Sequence, residues 1–292
     1  MLQILDDTEK EKLQKKGYMI EHLLCLYSMV VEKTYIYDDC YPVFFSNFGE
    51  ADVTLFGFRK DIDVQKCVHE LTNLPINLLN IISPTPIENL PNALSKYFDW
   101  DFQINVNDFD FNMKGKMYKN IRYRLKQVAK QNYSLKISRD FTPRHTYILS
   151  RHMSKHNLDL WDFEELLSLE RFFREHNHGL MMEVYKDNKL VGFDIVDFFE
   201  DNSIMAVPLG IYLDVPLISY FLMYENLKYA KEKGYALLDL GTACEVPGLR
   251  QFKENWFAKP KYPIYIQTLN IPTLKPNIKN EKLTPIQPKA MN

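Results

Sequence analysis

Residues 219–257 read SYFLMYENLKYAKEKGYALLDLGTACEVPGLRQFKENWF, and the succession of patterns in them decides the architecture. Leu217, Phe221, Tyr224, Leu227, Lys228 and Ala230 recur at about the 3.6-residue helical period, with Lys231 and Lys233 in the last turn. Gly234 follows, where a left-handed residue ends such a helix. Ala236 to Leu240 is a short, nearly all-apolar run, the pattern of a strand covered on both faces. Asp239 interrupts it just before Gly241, where a central strand opens into a loop. A carboxylate there either orders the loop or serves a site. Pro247 and Gly248 mark a second helix start, and Leu249, Phe252 and Trp256 form its apolar stripe. That spacing leaves Arg250, Lys253 and Lys259 on or near exposed faces.

Outward from this stretch, LMMEVYKDNKLVGFDIVDFF (180–199) alternates as two strands around the turn pair Asp187-Asn188, with Gly192 marking a bulge. SIMAVPLGIY (203–212) reads as a further strand, and 262–269 as the last one. The segment 141–179 reads helical. His152 and His156 stand four apart in it, but no third ligand follows at a usable spacing, so no metal is expected. His176 and His178 before Gly179 suit a helix end that favours positive charge. Toward the N-terminus the pattern predicts a helix over 6–33, two strands within 40–58, a helix over Val64–Leu74, and strands at 76–82 and 98–106. The turn-rich PTPIENLP (84–91) joins those last two. Residues 271–292, polar with four prolines, read as a flexible tail.

Between Asp110 and Asp140 lie 29 residues with nine basic side chains and no acidic one. On a helix, Met117, Ile121, Leu125 and Val128 form one stripe, and Lys119, Arg122, Lys126 and Lys130 the opposite one, with Arg124 at the edge of the apolar face. A solvated basic face would look similar, but such faces usually mix signs. The missing acids favour a face for a polyanion, either tRNA or cofactor phosphates.

A chain of 292 residues accommodates two domains, and 46% hydrophobic content supplies their cores. A net charge of −2 argues against wholesale nucleic-acid coating. Cys25, Cys40, Cys67 and Cys244 show no ligand spacing and read as reduced thiols. No run is long enough to span a membrane and no signal-peptide core opens the chain, so a cytoplasmic protein is expected.

Two stretches carry a resemblance. Strand-Asp239-Leu-Gly241, then Gly248-Leu249-Arg250-x-Phe252-Lys253-Glu254 and the pair Trp256-Phe257, resembles a group of GNAT-like transferases. These are the Fem-type peptidoglycan-bridge aminoacyltransferases and the lysyltransferase domain acting on phosphatidylglycerol. GKMYKNIRYRLKQVAK (115–130) resembles the opening of the second domain in the same families. The resemblance implies an α+β fold of two tandem GNAT-like domains, the first degenerate. The expected boundaries are 1–110, 111–270 and a tail over 271–292. It also implies acyl transfer. CoA-dependent GNAT enzymes cradle a pyrophosphate on a Gly-rich loop at a helix N-terminus. Here that position reads GIYLDVPLISY (210–220), with one glycine, an aspartate and no base.

An aminoacyl-tRNA donor is therefore expected, with no bound cofactor and with a small molecule, lipid or peptide as acceptor. An acyl-CoA or carrier-protein thioester donor is the alternative, and an inactive binding module the second. The expected catalytic residues are Asp239 and Lys253. Lys116, Lys119, Arg122, Arg124, Lys126 and Arg250 are the expected donor or phosphate contacts. Glu183, Asp194 and Trp256 are secondary. Asp197 falls on the strand face opposite Asp194. Cys244 has no sequence-adjacent histidine to make it a nucleophile.

Overall fold

Asp187 and Asn188 both take left-handed backbone (φ 50° and 60°), the geometry that lets a two-residue turn follow the twist of its strands. The hairpin they close, β8 (Leu180–Lys186) and β9 (Lys189–Phe199), anchors the second half of the molecule. The computed structural model describes residues 2–4, 6, 8–9, 34–37, 41–45, 50–54, 69–71, 77–83, 93–156, 179–199, 203–243 and 246–270. The helices expected over 6–33 and after 156, most of the helix expected at 64–74, the 84–91 connector, the tail and all four cysteines lie outside the described residues.

The other strands are β1 (Leu2–Ile4), β2 (Thr34–Tyr37), β3 (Tyr41–Phe45), β4 (Glu50–Thr54), β5 (Leu78–Ser83), β6 (Ala93–Asn105), β7 (Tyr133–Ser138), β10 (Ile204–Tyr212), β11 (Leu237–Asp239) and β12 (Lys259–Asn270). They form one mixed sheet in the order β1-β2-β3-β4-β5-β12-β6-β11-β10-β9-β8-β7. The order repeats. β1 to β4 run antiparallel and β4 pairs parallel with β5; β7 to β10 run antiparallel and β10 pairs parallel with β11. The closing strands are exchanged, so that β12 lies beside β5, β6 lies beside β11, and the two pair with each other at the centre.

Four helices complete the second half among the described residues: α1 (Lys119–Val128), α2 (Pro143–His156), α3 (Ile218–Lys233) and α4 (Pro247–Asn255). α3 ends at Gly234 (φ +82°), as the sequence predicts. It buries Leu222, Leu227 and Ala230 against Met182, Val196 and Leu238 of the sheet. Each such buried leucine contributes about 1.5–3 kcal/mol. α2 covers the other face, with Ile148, Leu149 and Met153 on Met181, Phe193 and Ile195. No helix among the described residues is long and apolar enough to cross a membrane.

The sequence reading missed β7. Its alternation, Tyr133-Ser-Leu-Lys-Ile-Ser138, sits inside the basic stretch, where charge dominated the pattern. As the edge strand it exposes Lys136, a residue type that discourages further pairing. Met117 also departs from expectation. It precedes α1 and is 65% exposed rather than part of the apolar stripe.

Candidate active site

β10 and β11 pair over only three residues, Ile204–Ala206 with Leu237–Asp239. Beyond them β11 ends, while β10 shifts register after Ala206 and continues along β9 to Tyr212. The sheet therefore opens at the carboxyl ends of two parallel strands, the position where open α/β sheets bind ligands. Asp239 stands at that opening, fully buried.

Its two oxygens have distinct tasks. Oδ1 accepts the Gly241 N–H at 2.8 Å, and Oδ2 accepts the Gln103 side-chain amide at 2.6 Å. Gln103 also donates to Asp101 at 3.1 Å. The loop after Asp239 then runs back along β6, with Leu240 N–H donating to Phe102 O (2.9 Å) and Phe102 N–H to Gly241 O (3.1 Å). Gly241 turns through φ +62°, a conformation costly for a side-chain-bearing residue.

Lys253 is not on an exposed face of α4. It is 4% exposed, and its ammonium donates to the carbonyls of Leu240 (2.6 Å), Gly241 (2.9 Å) and Thr242. The helical spacing was sound; what it could not show was a ring of carbonyls turned toward that position. Asp239 and Lys253 thus both hold the backbone of residues 240–242, as positioning residues. Asp99 adds a third tie, accepting the Ala243 N–H at 2.9 Å.

The ordered loop borders a cavity of about 340 Å³ lined by Phe98, Asp99, Trp100, Ala243, Val246, Pro247 and Arg250. Arg250 is half-exposed, donates through Nε to Glu254 at 3.0 Å and lies 5.9 Å over the Phe102 ring. Apolar walls, a guanidinium and a carboxylate together suit a small group bearing a carbonyl or phosphate oxygen.

The basic residues divide. Lys116, Lys119, Arg124 and Lys126 are exposed. Arg122 is not available to a phosphate in the way expected, because its Nη1 donates to the carbonyls of Met113 and Gly115 (2.8 Å to the latter), closing the loop before α1. Arg124 reaches 5.8 Å from the Tyr220 ring of α3. Tyr220 in turn meets Phe252 edge-on at 5.3 Å and Trp256 at 5.8 Å. Trp256 is fully buried, a core residue rather than a site wall.

The hairpin acids lie on opposite sheet faces. Glu183 accepts from Tyr185 (2.7 Å) and lies 3.2 Å from His145 Nε2, under a larger cavity of about 650 Å³ beside α2. Burial pushes its carboxyl up, but hydrogen bonds from His145, Tyr185 and Ser138 outweigh this and hold it below its usual range. His145 Nδ1 accepts the Thr142 N–H at 3.0 Å, so Glu183 serves the start of α2. Asp194 faces α3 and accepts the Asn226 amide at 2.6 Å. Burial raises its carboxyl to about 7, against the opposing Asn226 bond. A Cβ on Gly210 would fall 2.8 Å from Asp194 Oδ1, so only glycine leaves that carboxyl room beside β10.

Gln103, Asp99 and His145 were not anticipated. FDWDFQ did signal Asp99, Asp101 and Gln103, since alternation sets three polar side chains on one face of a strand. Among the described residues no group of three or more His, Cys, Asp or Glu could hold a metal ion, and His152 and His156 stand as a ring pair 4.6 Å apart.

No family model and no curated protein matches the sequence. Solved structures do match. The C-terminal domain of a candidate lysylphosphatidylglycerol synthetase from Agrobacterium fabrum is 14% identical, with 91% of this chain and 93% of that one covered and a TM-score of 0.62. A tandem GNAT protein from the clavulanic acid biosynthesis pathway is 9% identical over 93% of this chain and 98% of its own, with a TM-score of 0.59. FemX is 10% identical over 91% and 96%, with a TM-score of 0.57. The repeated half-sheets with exchanged closing strands are thus the tandem GNAT-like α+β fold, an acyltransferase fold, shared with the groups that the two sequence stretches resemble.

Proposed function

We propose that this chain is an aminoacyltransferase that takes its aminoacyl group from aminoacyl-tRNA and passes it to an amine or hydroxyl on a small molecule, lipid or peptide. The observation that carries this reading is the exposed, acid-free run of cations on and before α1, which ring contacts link to the helix bearing the cavity's arginine. The acid-free segment 111–139 leaves Lys116, Lys119 and Lys126 in solvent. Arg124 then leads across Tyr220 to Phe252 on α4, the helix that also bears Arg250 at the cavity. The helix that would receive a nucleotide pyrophosphate, α3, is instead preceded by Asp214, which pairs with Lys155 at 3.1 Å. One neighbour's name, lysylphosphatidylglycerol synthetase, couples an amino acid to a lipid, in keeping with the acceptor range.

Transfer from an ester asks for positioning, stabilisation of the oxyanion and a route for the proton. Arg250 is the group placed to meet the donor's carbonyl or phosphate oxygens. The attacking amine or hydroxyl loses its proton, and the departing ribose oxygen gains one. Asp194, held near neutrality, is the candidate base.

Binding of total tRNA across a salt series tests the reading. The chain should bind, and the slope of log K against log salt should fall by about 2–3 in Lys119→Glu/Arg124→Glu/Lys126→Glu, together with most of the affinity. Arg122 is left intact because it closes a loop. Absence of binding at low salt would sink the tRNA donor and direct the search to thioesters.

A further inference from the structure

We infer that the outer face of α1 docks the unpaired 3′ strand of the RNA, with Tyr123 stacking on a base; this rests on the aminoacyl-tRNA reading. On a helix, residues 119, 123, 126 and 130 share one face. Here Lys119, Tyr123 and Lys126 are exposed, with Lys130 exposed in the turn just past the helix, while Ile121 and Val128 are buried on the opposite side. Tyr123 is 57% exposed at the centre of the cations.

A large aromatic ring surrounded by lysines gains little from a duplex, whose base faces are already stacked. It gains substantially from an unpaired strand, where bases stack on side-chain rings while cations follow the phosphates. A helix inserted into a membrane surface would present an outward apolar face with cations at its border. In α1 the apolar stripe faces the protein core and the cations face out. The position is also apt. Arg124, next to Tyr123, contacts Tyr220, and Tyr220 contacts Phe252 of the helix that lines the cavity. A strand held on Tyr123 therefore lies beside the ring contacts that join α1 to the helix carrying Arg250.

Two labelled RNA hairpins of the same stem test this, one with a short unpaired 3′ tail and one blunt, each titrated with the full chain. Tyr123→Ala should weaken binding of the tailed hairpin roughly tenfold and leave the blunt hairpin and the salt slope unchanged. Tyr123→Phe should retain tailed binding, since the ring and not the hydroxyl is used. Equal weakening of both hairpins, or of neither, overturns the inference while leaving the donor reading standing. Failure of the unaltered chain to bind either hairpin removes the donor reading itself. Binding to phosphatidylglycerol vesicles instead, lost in Tyr123→Ala, would also overturn the inference by making the face a lipid contact.

Discussion

α1 and α4 are both short amphipathic helices that carry lysine and arginine, yet they use those cations in opposite ways. α1 leaves Lys119 and Lys126 in water, whereas α4 turns Lys253 inward onto three carbonyl oxygens. The two sites differ in what surrounds the helix. α1 lies across α3, with solvent on its outer side. α4 follows directly on the loop Leu240–Val246, whose backbone bends at Gly241 so that successive carbonyls converge. A cation with three N–H donors fits that convergence, and its burial is compensated there. The same residue type is thus a solvent-facing group on one helix and a structural clamp on the other.

Replacing the clamp should give the largest effect. Lys253→Met keeps the side-chain volume but removes the ammonium donor from three carbonyls, of which Gly241 O keeps the Phe102 N–H, and each buried group left unsatisfied costs about 1–3 kcal/mol. The expected loss is about 3 kcal/mol or more in chemical denaturation. Lys253→Arg should recover little of it, because a planar guanidinium cannot address three oxygens converging on one point. A near-neutral Lys253→Met would break the contrast between the helices and return Lys253 to the chemistry.

That outcome bears on what the sequence could disclose. The elements around residues 180–270 were legible because local rules set them: the Asp187-Asn188 turn, the Gly234 stop and the Pro247 helix start. The candidate site was legible in part. Asp239, Arg250 and Lys253 do converge on one loop, and Asp239 orders it. The inward turn of Lys253 was hidden, since helical spacing counts Lys253 as polar and says nothing about carbonyls supplied by a neighbouring loop. The seating of β12 between β5 and β6 was equally hidden. It pairs Tyr265 with Ser83 and with Phe98, contacts spanning more than half the chain that no window of sequence contains. Arg122 failed for a similar reason, because the carbonyls it meets at Met113 and Gly115 belong to an irregular turn.

Asp194 falls between the two extremes, a buried acid that accepts the Asn226 side-chain amide, and its effect should be intermediate. Its carboxyl is raised from 3.8 to about 7, so the folded chain holds a proton there that the unfolded chain releases. Its contribution to stability is complete below the unfolded value and is lost as the pH rises through about 7. Three units of difference bound the loss at about 4 kcal/mol. Urea denaturation across that interval should show stability declining with pH in the unaltered chain, and a flatter profile in Asp194→Asn. A profile that rises with pH and is untouched by the substitution would show that burial does not raise the Asp194 carboxyl in the folded chain.

The smallest effects should come from α1, and their signs make them informative. Lys119 opens the helix, where the partial positive charge of the N-terminus disfavours a cation, and Lys126 sits in the last turn, where a cation is favoured. Lys119→Glu should therefore stabilise the chain and Lys126→Glu destabilise it, each by roughly 0.3–1 kcal/mol. The double variant should fall within about 0.5 kcal/mol of the unaltered chain. Melting temperatures of the two single variants check this directly. Destabilisation by both would mean that these lysines are held in structural contacts as Lys253 is, and the loss of tRNA binding in their variants could then come from a disturbed helix. Opposite signs, together with lost binding, would leave charge on an intact surface as the cause.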